Sequence, residues 1–135
     1  MTVQYSDTVL NAKLDAIETA IGVSAVMKFR TGTQPATCAT ADSGTVVATL
    51  NLPSDWMSAA ATHVKAKTGT WQDASADASG TIAHWRIYAS DGTTCHMQGT
   101  ATVTGGGGDV TLDAVVVTAA QAVTVNTFSI TAAGS

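Results

Sequence analysis

The histidines and cysteines are the residues whose chemistry could build a metal site. His84 and His96 fall on two predicted strands joined by a tight turn, so they can be neighbours across a sheet, with Cys95 or His63 as a third ligand. Cys95 and His96 are adjacent, however, and adjacent residues of a strand point to opposite faces. We therefore expect ordinary strand residues here, and the sequence predicts neither a metal nor another cofactor.

The two cysteines are also the candidates for a nucleophile. Cys38 lies in a long loop that turn residues predict over 32–43, and Cys95 lies in a predicted strand. A catalytic cysteine needs a base and an orienting group, and the sequence supplies no third member beside either thiol. In a chain made in the cytoplasm we expect both to be unreactive thiols. A Cys38–Cys95 disulfide is the alternative.

Acidic residues, tryptophans and a glycine run offer three further kinds of site. Most of the ten Asp and Glu fall in predicted turns, caps and loops, where they bond local backbone. Trp56, Trp71 and Trp85 could form a sugar-binding platform, but core packing is their commoner role. Residues 105–108 are four glycines without the Lys-Ser/Thr and helix that follow a phosphate loop. We predict that the protein is not an enzyme.

Composition limits the partners. The 135 residues are 45% hydrophobic and 12% charged, with a net charge of -4, whereas soluble proteins average about 25% charged residues. The six Lys and Arg do not cluster, so nucleic-acid binding is not expected. Positions 1–10 do not resemble a signal peptide, and no apolar run reaches the roughly 18 residues of a membrane span. The low charge suggests a surface that largely faces other protein.

One helix is predicted at the N-terminus, from about Asp7 to Ile21. Ser6 or Asp7 can cap it, and Gly22 is a suitable stop. Helical spacing gives it one apolar stripe, formed by Leu10, Leu14, Ile17 and Ile21. This stripe packs either on the chain's own β domain or on a partner.

The rest of the chain predicts about seven or eight strands separated by turns. The predicted strand regions are 25–31, 45–52, 63–68, a short segment from Trp71, 81–89, 93–104, 110–118 and 122–131. The fold class is mainly β, a jelly-roll-like sandwich or small barrel with one N-terminal α-helix. Residues 1–135 are read as a single domain, with the helix in 1–22 and the β-sandwich in 23–135.

Seven stretches of sequence together carry a family resemblance. They are 10–22 (LNAKLDAIETAIG), 29–32 (FRTG), 41–45 (ADSGT), 52–56 (LPSDW), 65–71 (KAKTGTW), 85–88 (WRIY) and 92–100 (GTTCHMQGT). In these the chain resembles small virion proteins of tailed bacteriophages and prophages, most of all a capsid cement, or decoration, protein. The resemblance lies in overall sequence rather than in a catalytic signature, and it implies a jelly-roll-like fold.

The resemblance implies a structural function. The protein would bind the major capsid protein and stabilise the shell, as a dimer or trimer on the capsid surface, after synthesis in the host cytoplasm. The candidate partner contacts are Leu10, Leu14, Ile17, Ile21, Gln34, Pro35 and Thr37. The alternatives are a tail- or fibre-associated virion protein and a carbohydrate-binding β-module with exposed tryptophans. A hydrolase is the least favoured alternative.

Overall fold

The computed structural model describes residues 3–134, as one helix followed by short strands. The helix α1 spans Asp7–Ile21, and the strands are β1 Val26–Arg30, β2 Val46–Asn51, β3 Val64–Ala66, β4 Trp71–Asp73, β5 Gly80–Thr81, β6 His84–Tyr88, β7 Cys95–Val103, β8 Val110–Leu112, β9 Val116–Val117, β10 Val123–Val125 and β11 Ser129–Thr131. The prediction of a mainly β chain with one N-terminal helix is confirmed. Within residues 3–134, α1 lacks the length and apolar character of a membrane-spanning helix, and no other helix is present.

Helix α1 has the termini that the sequence predicts. The Ser6 hydroxyl accepts a hydrogen bond from the Val9 backbone N–H at 3.4 Å, which satisfies one of the unpaired N–H groups at the start. At the other end Gly22 adopts a φ of 92° and its N–H donates to the Glu18 carbonyl. A side chain is rarely found at this φ, so glycine is the suitable stop.

Five strands form the main sheet, in the order β2-β1-β6-β7-β8. All its pairs are antiparallel except β7 with β8, which is parallel, and the sheet curls into half a barrel. Three two-stranded pairs, β10-β4, β11-β3 and β5-β9, complete the strands of residues 3–134.

The main sheet has one apolar and one polar face. Alternate residues of β1 and β6, among them the paired Phe29 and Trp85, lie in the hydrophobic core. The residues between them, including the paired Lys28 and Arg86, lie on the opposite face. Every residue of β6 is nevertheless buried, so this polar face must be covered as well. Its cover is the loop of residues 32–43.

The core on the apolar side is built around a row of aromatic rings. The ring centroid of Trp71 lies 5.9 Å from that of Trp56 and 5.1 Å from that of Phe128. Phe128 in turn meets Trp85 edge to face at 5.6 Å. Such pairs stabilise beyond the area they bury, and they tie together segments far apart in sequence.

Helix α1 docks on β3 through apolar and polar contacts together. Leu10, Leu14 and Ile21 of the stripe are buried within the chain. Beside them the buried Lys65 ammonium lies 2.7 Å from Asp15 and 2.8 Å from Glu18. These two carboxylates also accept backbone N–H groups of the segment before β3. The stripe therefore packs on its own chain.

The strands are shorter and more numerous than the sequence pattern predicts, since residues 3–134 contain eleven rather than seven or eight. Residues 122–131, predicted as one strand, form β10 and β11, which pair with β4 and β3 in different sheets. The predicted strands 81–89 and 110–118 are each divided in the same way. A strand that changes partner must interrupt its hydrogen-bond ladder, and alternation of residue types does not reveal where the partner changes.

Candidate functional site

The largest group of interacting polar side chains surrounds Asp42, between loop 32–43 and the polar face of the main sheet. One oxygen of the Asp42 carboxylate accepts from Arg86 Nη1 at 2.6 Å and from the Tyr88 hydroxyl at 2.8 Å. The other accepts from Arg30 Nη2 at 2.7 Å. One carboxylate thus binds two arginines from neighbouring strands. We call Arg30, Asp42, Arg86 and Tyr88 the Asp42 network.

The arginines of the network also hold the backbone of the loop. Arg86 Nη2 donates to the carbonyls of Thr37 at 2.8 Å and Thr40 at 3.0 Å. Gln98, which accepts from Arg86 Nε, donates to the Pro35 carbonyl at 2.7 Å. The loop is therefore fixed to β6 and β7 at several points along its length.

The protonation state of the network is fixed near neutral pH. Burial alone would raise the pKa of the Asp42 carboxyl, but hydrogen bonds from Tyr88 and Arg86, together with the charge of Arg30, outweigh it and lower that pKa. Burial and the bond to Asp42 raise the pKa of Tyr88 to about 12. Both pKa values move away from neutrality, whereas acid–base catalysis needs a pKa near the working pH. The geometry suits a structural ion cluster.

His84 lies on the same face of the sheet and is fully buried. Its Nδ1 lies 2.9 Å from the Gly32 carbonyl and takes the donor role there, while its buried Nε2 has no hydrogen-bond partner within residues 3–134. Burial, followed by the nearby charges of Arg30 and Arg86, lowers the pKa of His84. A neutral imidazole is therefore built into this face.

The outer side of the loop carries small neutral residues. Thr37 is exposed, and its hydroxyl is 3.1 Å from that of Thr40. Also exposed are Gly32, Thr33, Ala36, Ala39, Thr40, Ala41 and, in part, the charged Asp42. Among the predicted contacts, Gln34 is half-buried and Pro35 is buried. The predicted contacts on the loop thus share one segment, of which Thr37 is the exposed member.

The predicted contacts on the helix are placed differently. Leu10, Leu14 and Ile21 lie inside the chain, and Ile17 is partly buried against the same core. A groove of about 610 Å³ lies between α1 and the segment 54–59. Of its charged lining residues, Lys65 and its two carboxylate partners are already engaged in docking the helix.

Two other sites considered from sequence do not form. The expectation that His84 and His96 could be neighbours is wrong: His84 pairs with Thr100, and His96 is an exposed extra residue in a β-bulge. Residues 3–134 hold no group of three or more potential metal ligands. The three tryptophans are buried in the aromatic row, so they do not form an exposed sugar-binding platform.

The Asp42 network itself was missed by sequence reasoning. A signal was present, because Lys28 and Arg30 on β1, and His84, Arg86 and Tyr88 on β6, each fall at spacing two. Such spacing places polar side chains on one face of each strand. What the spacing cannot give is the acid that neutralises them, since Asp42 comes from a loop.

Comparison with protein-family models, with curated proteins and with solved structures gives no match. The resemblance to phage virion proteins accordingly stays a prediction, and it enters the functional argument only as a proposal.

Replacing Asp42 with alanine is expected to destabilise the fold. The substitution leaves Arg30 and Arg86 buried without a counter-charge. Breaking a buried pair costs about 3–5 kcal/mol, and because the Asp42 side chain is 35% exposed we expect roughly 2–3 kcal/mol. Urea unfolding measures the loss, with the exposed Asp113→Ala as control. Equal stabilities of the two variants would contradict the central role of Asp42.

The lowered pKa of His84 predicts an acid-sensitive fold. In the unfolded chain His84 binds a proton below about pH 6.5, whereas in the folded chain its lowered pKa opposes protonation. The contribution of His84 to stability is therefore full above that pH and declines as the pH falls towards the folded pKa. His84→Gln should remove this decline, whereas His96→Gln in the exposed bulge should keep it. Unfolding free energies measured between about pH 5 and 8 test this. The contribution of Asp42 is lost separately, below its ordinary pKa of 3.8.

Proposed function

We propose that the protein is a capsid cement protein of a tailed phage, which binds the major capsid protein through loop 32–43 and stabilises the shell. The observation that carries this proposal is how the loop is held. On the side of the sheet, Arg86 of the Asp42 network donates hydrogen bonds to its backbone, while small neutral residues face outward. The resemblance in sequence points to the same class of protein.

A loop held in this way suits a contact surface. Binding by a mobile loop loses free energy because side chains and backbone must become ordered, at about 0.5–1.5 kcal/mol per immobilised side chain. Loop 32–43 is already ordered by Arg86 and Gln98. Its exposed alanines and threonines carry no charge that an interface would have to desolvate. Only 12% of the residues in the whole chain are charged, which supports a surface poor in charge beyond the loop as well.

The proposal includes an assembly and a finer fold class. In a shell, many identical copies occupy symmetric sites, so we propose a dimer or trimer on the capsid surface, assembled after synthesis in the host cytoplasm. We also propose that the half-barrel and the small strand pairs belong to a jelly-roll-like sandwich or small barrel. Both architectures present loops at their ends while their strands form the core.

A cryo-EM map of intact particles that contain the protein tests the proposal directly. We expect regular β-rich density of the size of a 13.6 kDa chain on the outer surface of the capsid, bridging neighbouring capsid subunits. Density confined to the tail would instead assign the protein to the tail or its fibres. A particle without such density would contradict a virion function altogether.

Ala39→Arg should weaken binding to capsids that lack the protein, because a long charged side chain would enter the interface at the centre of the loop. We expect at least a tenfold loss, equivalent to about 1.4 kcal/mol, in a co-sedimentation assay. Ala39 is exposed, so the larger side chain can extend into solvent and folding should be unaffected. The matched control is Ala12→Arg, an exposed alanine on α1. Loss of binding in the control alone would move the contact to the helix.

A further inference from the structure

The two cysteines meet between loop 32–43 and strand β7, outside the Asp42 network. The sulfur of Cys38 in the loop lies 2.8 Å from that of Cys95 at the start of β7, and both are half-buried thiols. A disulfide bond is about 2.05 Å long, so the sulfurs need to approach by only about 0.75 Å. We propose that Cys38 and Cys95 form a reversible disulfide that fastens the loop covalently to the sheet. This inference does not depend on the proposed function.

A β-bulge places Cys95 on the side of the loop. Ile87 pairs with Met97 and Tyr88 with Cys95, which leaves His96 as an extra residue. In a regular strand, Cys95 and Met97 would share one face, because they are two positions apart. The bulge shifts the alternation by one residue, so that Met97 packs against the core while Cys95 lies opposite Tyr88, on the polar face.

The loop already holds Cys38 in position in the reduced protein. The carbonyls of Thr37 and Thr40, on either side of Cys38, both accept hydrogen bonds from Arg86. Reacting groups that are held together react as if they were highly concentrated, because little entropy is lost on the way to the bond. The fixed loop therefore favours a bond within the chain over one between chains.

The reaction is thiol–disulfide exchange with a small-molecule disulfide such as glutathione disulfide. The thiolate of one cysteine attacks the glutathione disulfide and displaces one glutathione thiolate. The thiol of the other cysteine then loses its proton and its sulfur attacks the protein sulfur of the mixed disulfide, which releases the second glutathione thiolate. The protein loses two hydrogen atoms and one glutathione disulfide becomes two thiols.

The test is oxidation of the full chain with excess glutathione disulfide, followed by thiol titration and intact mass. We expect both thiols to disappear, a mass lower by two hydrogen atoms, and a linked peptide that contains Cys38 and Cys95. Because the bond closes a loop between residues 57 positions apart, the melting temperature of the oxidised monomer should exceed that of the dithiothreitol-reduced monomer by roughly 10 °C.

Cys38→Ser and Cys95→Ser are the matched controls. Each should melt at the same temperature with and without oxidant, and Cys38→Ser changes only a loop residue. Two titratable thiols after equilibration, a stable mixed disulfide with glutathione, or disulfide-linked dimers of the wild-type chain would each overturn the proposal. The mass and thiol measurements on the wild-type protein decide the outcome even if a variant folds poorly.

Discussion

The structure depends on one carboxylate that neutralises two buried arginines. Arg30 and Arg86 are almost completely buried, and a buried cation without a counter-charge costs several kcal/mol. The counter-charge, Asp42, lies on loop 32–43 rather than on the sheet. The sheet can therefore keep its arginines only while the loop is closed over them. The loop is in this sense part of the folded core.

The same principle applies to the other cover of the β structure, helix α1. Its apolar stripe is mostly buried. The position of the helix on β3 is fixed by two helix carboxylates, which bind Lys65 and backbone amides of the segment before β3. Three of the six Lys and Arg are buried in these two places. The surface is consequently poorer in positive charge than the composition alone suggests.

Local features could be predicted from the sequence, and features that depend on distant partners could not. The helix from Asp7 to Ile21 follows from its spacing and caps, and the loop 32–43 from its turn residues. The division of residues 122–131 depends on which strands lie beside them. The Asp42 network was out of reach for the same reason, because no periodicity joins a loop aspartate to arginines on β1 and β6. The predicted contact between His84 and His96 was wrong because the turn pairs Tyr88 with Cys95, which places His96 at the turn end of the hairpin, whereas His84 lies at the other end, opposite Thr100.

The way α1 docks has a consequence for the order in which the chain folds during synthesis. The helix rests on β3, whose strand partner is β11, and near its start Tyr5 donates a backbone hydrogen bond to Gly134. The ribosome makes α1 before β3, on which the helix docks, and makes β3 well before its strand partner β11. The apolar stripe of α1 therefore remains uncovered in the nascent chain at least until β3 has emerged, a state open to association with other chains or capture by chaperones. The helix thus has to wait for a strand made later before it can join the fold.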